Sequence, residues 1–196
     1  MTRFDRDGLE FGLRQLVTKL RSSGSRSGLR IVGGAALALQ YFDRESTVDI
    51  DAHPIGDADH VLAAGREVAE ENGLPDDWLN NQAAVFIPEY GSIPLAWETL
   101  YDDGTVVIQV ASAEAMLAMK LRANRPGRDD TDIAKLMVLC DISSIAEAEE
   151  IYESFYAAEV LPDRAISMVT RILAVGLPEA PPTPPAPDLG VAGRLG

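Results

Sequence analysis

The chain has 196 residues, with 17 Lys plus Arg against 31 Asp plus Glu, a formal charge of −14 and 46% hydrophobic residues. That length suffices for one compact domain, or one domain with an appendage, burying about 70% of the unfolded surface without help from disulfides or a structural metal. One cysteine and two histidines exclude an internal disulfide and a zinc finger, and no apolar run near Met1 suits a signal peptide or a membrane span, so the expectation is a soluble, cytoplasmic protein.

Leu9, Leu13, Leu16, Val17 and Leu20 recur at helical spacing and predict an amphipathic helix over residues 5–22, stopped by Ser22-Ser23-Gly24-Ser25. Leu29-Arg30-Ile31-Val32, Gly33-Gly34 and the helix formers of 35–40 read as strand, glycine turn and short helix. Residues 47–53 alternate as a strand, and a helix over 57–72 ends at Gly73-Leu74-Pro75. Residues 85–88, 94–101 and 105–110 read as further strands, the last two joined by the turn Asp102-Asp103-Gly104.

From Ser112 the pattern is helical. Ser112 caps a helix to about Asn124, Pro126-Gly127 breaks it, and Asp129–Leu139 forms the next. Ser144 with Glu147 is a capping box for a helix to about Tyr156, and Pro162 opens another through Val175. After Leu177 the chain holds six of its twelve prolines and reads as a tail or extended arm. The organisation is thus 1–111, 112–177 and 178–196, and the fold class α+β or α/β.

Charge is unevenly spread. Residues 1–30 hold seven basic and three acidic side chains, whereas 45–119 hold Arg66 against fifteen acids. Lys120, Arg122, Arg125 and Arg128 then fall within nine residues, just before Asp129, Asp130 and Asp132. The plain reading of such a run is a solvated helix end.

Chemistry concentrates in residues 31–53. On a strand, Asp49 and Asp51 point to one face while Ile50 points inward. Two converging carboxylates call for a cation, and a hard ion such as Mg²⁺, shared with substrate phosphates, is the usual solution. Gly33-Gly34, between strand and helix, lets backbone approach a phosphate. Each feature alone is common. Together, GGAALAL (33–39) followed by RESTVDIDA (44–52), with the later KLRANRPGRDDTDIAKL (120–136), resembles the AbiEii-like and MenT-like nucleotidyltransferase toxins of bacterial toxin–antitoxin systems, within the polymerase-β-type superfamily.

The resemblance covers about residues 28–140 and implies a nucleotidyltransferase core with a short mixed sheet, followed by a helical C-terminal region. It implies that Gly33, Gly34, Ser46 and Thr47 line a nucleoside triphosphate, that Asp49 and Asp51 hold Mg²⁺, and that Lys120 meets the phosphates. Arg128, Asp129 and Asp132 match the block that completes the site. The implied reaction is transfer of a nucleoside monophosphate from an NTP to the 3′ end of tRNA, which stops aminoacylation and growth. The alternatives are transfer to a small molecule or a protein hydroxyl, or a silent binding relative. A cognate antitoxin is implied as a partner, some of this class acting as kinases on a hydroxyl such as Thr47 or Ser46.

One departure stands out. The strand 105–110 offers Gln109 where a third carboxylate is expected, leaving Glu98, Asp129 or Asp132 as substitutes. Arg14, Lys19, Arg21, Arg26 and Arg30, with Arg122 or Arg125, are candidate contacts for a tRNA backbone. His53 is a secondary candidate for the cleft and His60 a surface residue. Trp78 reads as an anchor on the core, Met116, Met119 and Met137 as core filler, and Cys140 as buried and inert.

Overall fold

Asp5 accepts a hydrogen bond from the amide of Gly8 and so starts helix α1, Arg6–Ser22, whose predicted apolar stripe Leu9, Leu13, Leu16, Val17 and Leu20 is buried throughout. The computed structural model describes residues 3–89 and 91–190; residues 191–196 of the predicted tail lie outside them. Strand β1 is Ser27–Val32, followed directly by the short helix α2, Gly33–Ala36, and one wide π turn, Leu37–Tyr41. Strand β2 is Ile50–Ile55, and Asp57 caps α3, Ala58–Asn72, which ends at Gly73 with φ +65°. A two-residue strand β3, Leu79–Asn80, and a 3₁₀ turn, Gln82–Phe86, precede β4, Trp97–Asp102, and β5, Val106–Ala111. Four helices follow: α4 Ala113–Ala123, α5 Asp130–Leu139, α6 Ile145–Phe155 and α7 Asp163–Val175.

The protein is therefore of mixed α and β type, with seven α-helices and one five-stranded mixed sheet of order β3-β2-β1-β5-β4 among the described residues. β1 runs antiparallel to β2 and parallel to β5, and β2 parallel to β3. Strand alternation sorts side chains onto two faces. Leu29, Ile31, Ile50, Ala52, Ile108 and Val110 fill the face toward the core, while Arg30, Asp51, His53 and Gln109 share the other. No helix among the described residues is long and apolar enough to cross a membrane.

Two expectations are corrected and a third is extended. Residues 85–88 are not a strand: the segment has no alternation, and its first part closes as the 3₁₀ turn Gln82–Phe86. The strand expected over 47–53 begins only at Ile50, because Thr47 pairs instead with Phe4 through both backbone groups, 2.7 and 2.9 Å. The capping box is extended by one residue. Ser144 accepts from the Glu147 amide at 3.2 Å, and the Glu147 carboxylate takes the amide and hydroxyl of Ser143 at 2.7 and 3.0 Å.

The chain divides into two compact units. The first comprises the described residues of Met1–Ala84, Trp97–Val110 and Thr183–Gly196, and the second Val85–Ala96 with Ala111–Pro182. In the first, α1 and α3 pack on each other and on the β1–β2 pair. Part of the proline-rich segment is held on α1 of that unit. Arg6 and Arg14 donate to the carbonyls of Pro185 and Asp188, and Leu189 is 1% exposed. In the second unit α4 packs on α5 and α6, and α7 closes on α5 and α6, burying Met116, Met119 and Met137.

Candidate functional site

In the first unit the glycine turn and the carboxylates meet. Gly33 has φ +70°, in the left-handed region open to glycine, and a Cβ there would lie 3.2 Å from Asp51 Oδ2. A Cβ on Gly34 would lie 2.8 Å from both Arg44 Nη1 and Thr47 Oγ1, so the segment before the carboxylates folds directly over this glycine. Arg44 keeps that fold by donating to the Ser46 carbonyl at 2.6 Å. Thr47 is 7% exposed and its hydroxyl donates to the Asp49 carbonyl at 3.2 Å. Ser46 is half-buried, and its Oγ accepts from Arg3 at 3.0 Å.

Asp49 lies just ahead of β2 and Asp51 within it, both half-buried on either side of the fully buried Ile50. The sequence did not reveal what gathers them. Asn80 of β3 stands opposite Asp51, so their side chains share a face, and Asn80 Nδ2 donates to Asp49 Oδ2 at 3.2 Å. Its amide comes from a strand too short to show a pattern, and an Asn between Leu79 and Asn81 carries no motif. The two carboxylates are oxygen donors of the kind a hard cation takes, while the Asn80 amide turns its nitrogen to Asp49 and its oxygen accepts from the Gln82 amide at 2.9 Å, so it steadies Asp49. Among the described residues no group of three or more His, Cys, Asp and Glu side chains is arranged to hold a metal.

Glu98 does not join this pair. It accepts from Gln40 Nε2 at 2.7 Å and Tyr41 OH at 2.8 Å, while its neighbours Trp97 and Thr99 touch Arg30 and Gln109 on the Asp51 face. Alternation thus puts Glu98 on the opposite face. His53 is exposed on the Asp51 face opposite Arg30, and His60 is exposed on α3. Trp78 is 1% exposed, its indole N–H donating to the Gly65 carbonyl at 2.8 Å, which is the anchoring role expected of it.

In the second unit the basic run is paired inward. Lys120 is 5% exposed, and its Nζ donates to Asp129 Oδ1 at 2.7 Å and Asp132 Oδ2 at 2.8 Å. Asp129 also receives the Arg125 amide, Nε and Nη2 at 2.8–3.0 Å. Burial raises the Asp129 pKa, but the Arg125 and Lys120 contacts outweigh it and hold the carboxyl at about 2. Arg122 lies 4.6 Å over the Tyr156 ring and donates to Glu159 at 2.6 Å. Arg128 is exposed; its amide donates to the Arg125 carbonyl at 3.1 Å, and its guanidinium makes no hydrogen bond or ion pair among the described residues. Cys140, half-buried at the end of α5, has its thiol pushed up to about 12 by burial, with Glu114 and Asp141 adding to the shift.

Comparison of the chain with protein-family models, with curated proteins and with solved structures finds no match.

Proposed function

We propose that the protein is a Mg²⁺-dependent nucleotidyltransferase with a polymerase-β-like core, of the AbiEii-like and MenT-like kind. The observation that carries this reading is the Gly33 backbone set against the Asp51 carboxylate, with Asp49 tied to the same place through Asn80. The acceptor hydroxyl oxygen attacks the α-phosphorus of an NTP. A new O–P bond forms as the bond to pyrophosphate breaks, and the hydroxyl proton passes to solvent. Magnesium, when bound, neutralises charge on the pyrophosphate and lowers the pKa of the attacking hydroxyl. Asp49 and Asp51 hold it, Asn80 orients Asp49, and the glycine turn with Ser46 and Thr47 takes the phosphates. Lys120, Asp129 and Asp132 brace the helical unit, and Arg128 is the basic side chain there with its guanidinium open to a phosphate.

In this reading the acceptor is the 3′ end of tRNA, and the partner is a cognate antitoxin acting as a kinase on Ser46, the more accessible of the two hydroxyls, or on Thr47. A phosphate there adds about −1.5 to −2 charges beside the carboxylates and repels NTP. Transfer to a small molecule or a protein hydroxyl is the second reading. It is favoured by the pairing of Lys19 with Glu67 and Glu71, Arg21 with Asp103, and Arg26 with Asp102, which leaves the N-terminal cations little charge for a polyanion.

The deciding experiment incubates the protein, with an Asp49→Ala control, with Mg²⁺, each labelled NTP in turn and total tRNA. Label entering tRNA only with the intact protein is the expected result. Absence of label moves the acceptor to the second reading, and label that survives Asp49→Ala refutes the site.

A further inference from the structure

Of the five basic side chains in and after α1 that the sequence offered for a polyanion, four face carboxylates: Arg14 lies 3.7 Å from Glu10, and Lys19, Arg21 and Arg26 are paired as above. Arg30 is different. Its Nε donates to Gln109 Oε1 at 3.3 Å, and its guanidinium lies 5.1 Å over the Trp97 ring, so both partners are neutral. Gln109 is steadied in turn by donating to Thr99 Oγ1 at 3.2 Å. Opposite Arg30 on β2 stands His53, exposed. The row His53, Arg30, Gln109 and Thr99 thus crosses four strands without an acid.

This row lies on the sheet face that carries Asp51. Arg30 is directly opposite His53 and therefore diagonal to Asp51, which puts their Cα atoms about 7–8 Å apart. Stacking on Trp97 fixes the plane of the guanidinium, and the Gln109 contact fixes its rotation in that plane. The two Nη groups are left in a fork suited to a phosphate.

We propose that this face is the acceptor platform, on which Arg30 binds the phosphodiester one nucleotide's length from the attacking hydroxyl. The proposal rests on the nucleotidyl-transfer reading and names its acceptor class by chemistry: a nucleic-acid end, in which a hydroxyl and a phosphate are close neighbours. A polycationic small molecule meets Arg30 as a like charge and is disfavoured.

The test measures binding of a fluorescent single-stranded RNA oligonucleotide with a free 3′ hydroxyl, at several salt concentrations, to the intact protein and to Arg30→Glu and Arg30→Gln, with folding verified by circular dichroism. The expected result is an affinity loss of about tenfold or more in Arg30→Glu, a smaller loss in Arg30→Gln, and a salt slope shallower by about 0.7, the value of one single-strand phosphate contact. A role confined to packing on Trp97 predicts no change in slope. No RNA binding by the intact protein, or equal affinity and slope in both variants, overturns the platform. So does tighter binding of an aminoglycoside to the intact protein than to Arg30→Glu. Mg²⁺-NTP binding, followed separately by equilibrium dialysis, keeps the two ideas apart. Arg30-dependent RNA binding without any NTP binding leaves this face as an RNA-binding surface and refutes both nucleotidyl transfer and the acceptor role, whereas NTP binding without Arg30-dependent RNA binding overturns the platform alone.

Discussion

Lys120 and Arg125 with Asp129 and Asp132 form a cluster of two positive and two negative charges, in which Lys120, Asp129 and Asp132 are each 5% exposed or less. Balance is what makes such burial tolerable. Removing one partner leaves an uncompensated charge, at a cost of about 3–5 kcal/mol. Lys120→Ala should lose about that much in urea unfolding, so its activity has meaning only at temperatures where the variant remains folded. The low Asp129 pKa gives a second expectation. A carboxyl that titrates near 2 when folded and about 3.9 when unfolded contributes stability that is complete above about pH 4 and lost as pH falls toward 2. Asp129→Asn should flatten the acid limb of a plot of stability against pH over that window. Cys140 should react slowly with iodoacetamide at pH 8 until denaturant is added. At this scale the sequence displayed the charges but not their pairing. The family resemblance gives Lys120 a phosphate role, while its carboxylate partners, Asp129 at the cap of α5 and Asp132 within it, lie nine and twelve residues on and meet it only once α4 and α5 pack.

Elements with a long apolar period were legible from end to end. Helices α1, α3, α4, α5 and α7 match their expected spans within a few residues, since each carries a cap or a breaker as well as a stripe. The six-residue strands β1, β4 and β5 also fall within a few residues of their expected spans, whereas β3 and the 3₁₀ turn did not show, because two residues of β3 hold no alternation and residues 85–88 are apolar without it. Tertiary context decided both, as it decided the start of β2 through the Phe4–Thr47 bridge. The β1–β5 contact has its own requirement. A Cβ on Gly28 would stand 1.8 Å from the Val107 carbonyl oxygen, and a backbone atom in a parallel ladder cannot step aside. Gly28→Ala should cost about 3 kcal/mol or more, or prevent folding outright. By contrast Gly12→Ala meets the rim of Trp78 at 2.6 Å, and a side chain can shift. Thermal unfolding should therefore rank Gly28→Ala as much the more damaging.

At the scale of the whole molecule, the mixed α and β class and the helical second half followed from the order of patterns, whereas the composition of the two units did not. The sequence placed residues 85–96 with the sheet and left the proline-rich stretch as an arm. The contacts put the former with the helices and tie Pro185, Asp188 and Leu189 to the first unit. Proline fixes the backbone in extended form in advance, so little conformational entropy is lost when one leucine and three hydrogen bonds anchor the segment. A chain ended after Pro182 should lose about 2 kcal/mol in chemical denaturation, the worth of one buried leucine.

Because Leu189 follows all seven helices in the sequence, the first unit lacks a piece of its core until those helices have left the ribosome. Synthesis proceeds at about 5–20 residues per second, and amino-terminal segments ordinarily fold first. Here the glycine turn and the carboxylates are made early, while the strap over α1 follows every helix, so the unit that carries them reaches its final stability only after the helical unit has been synthesised.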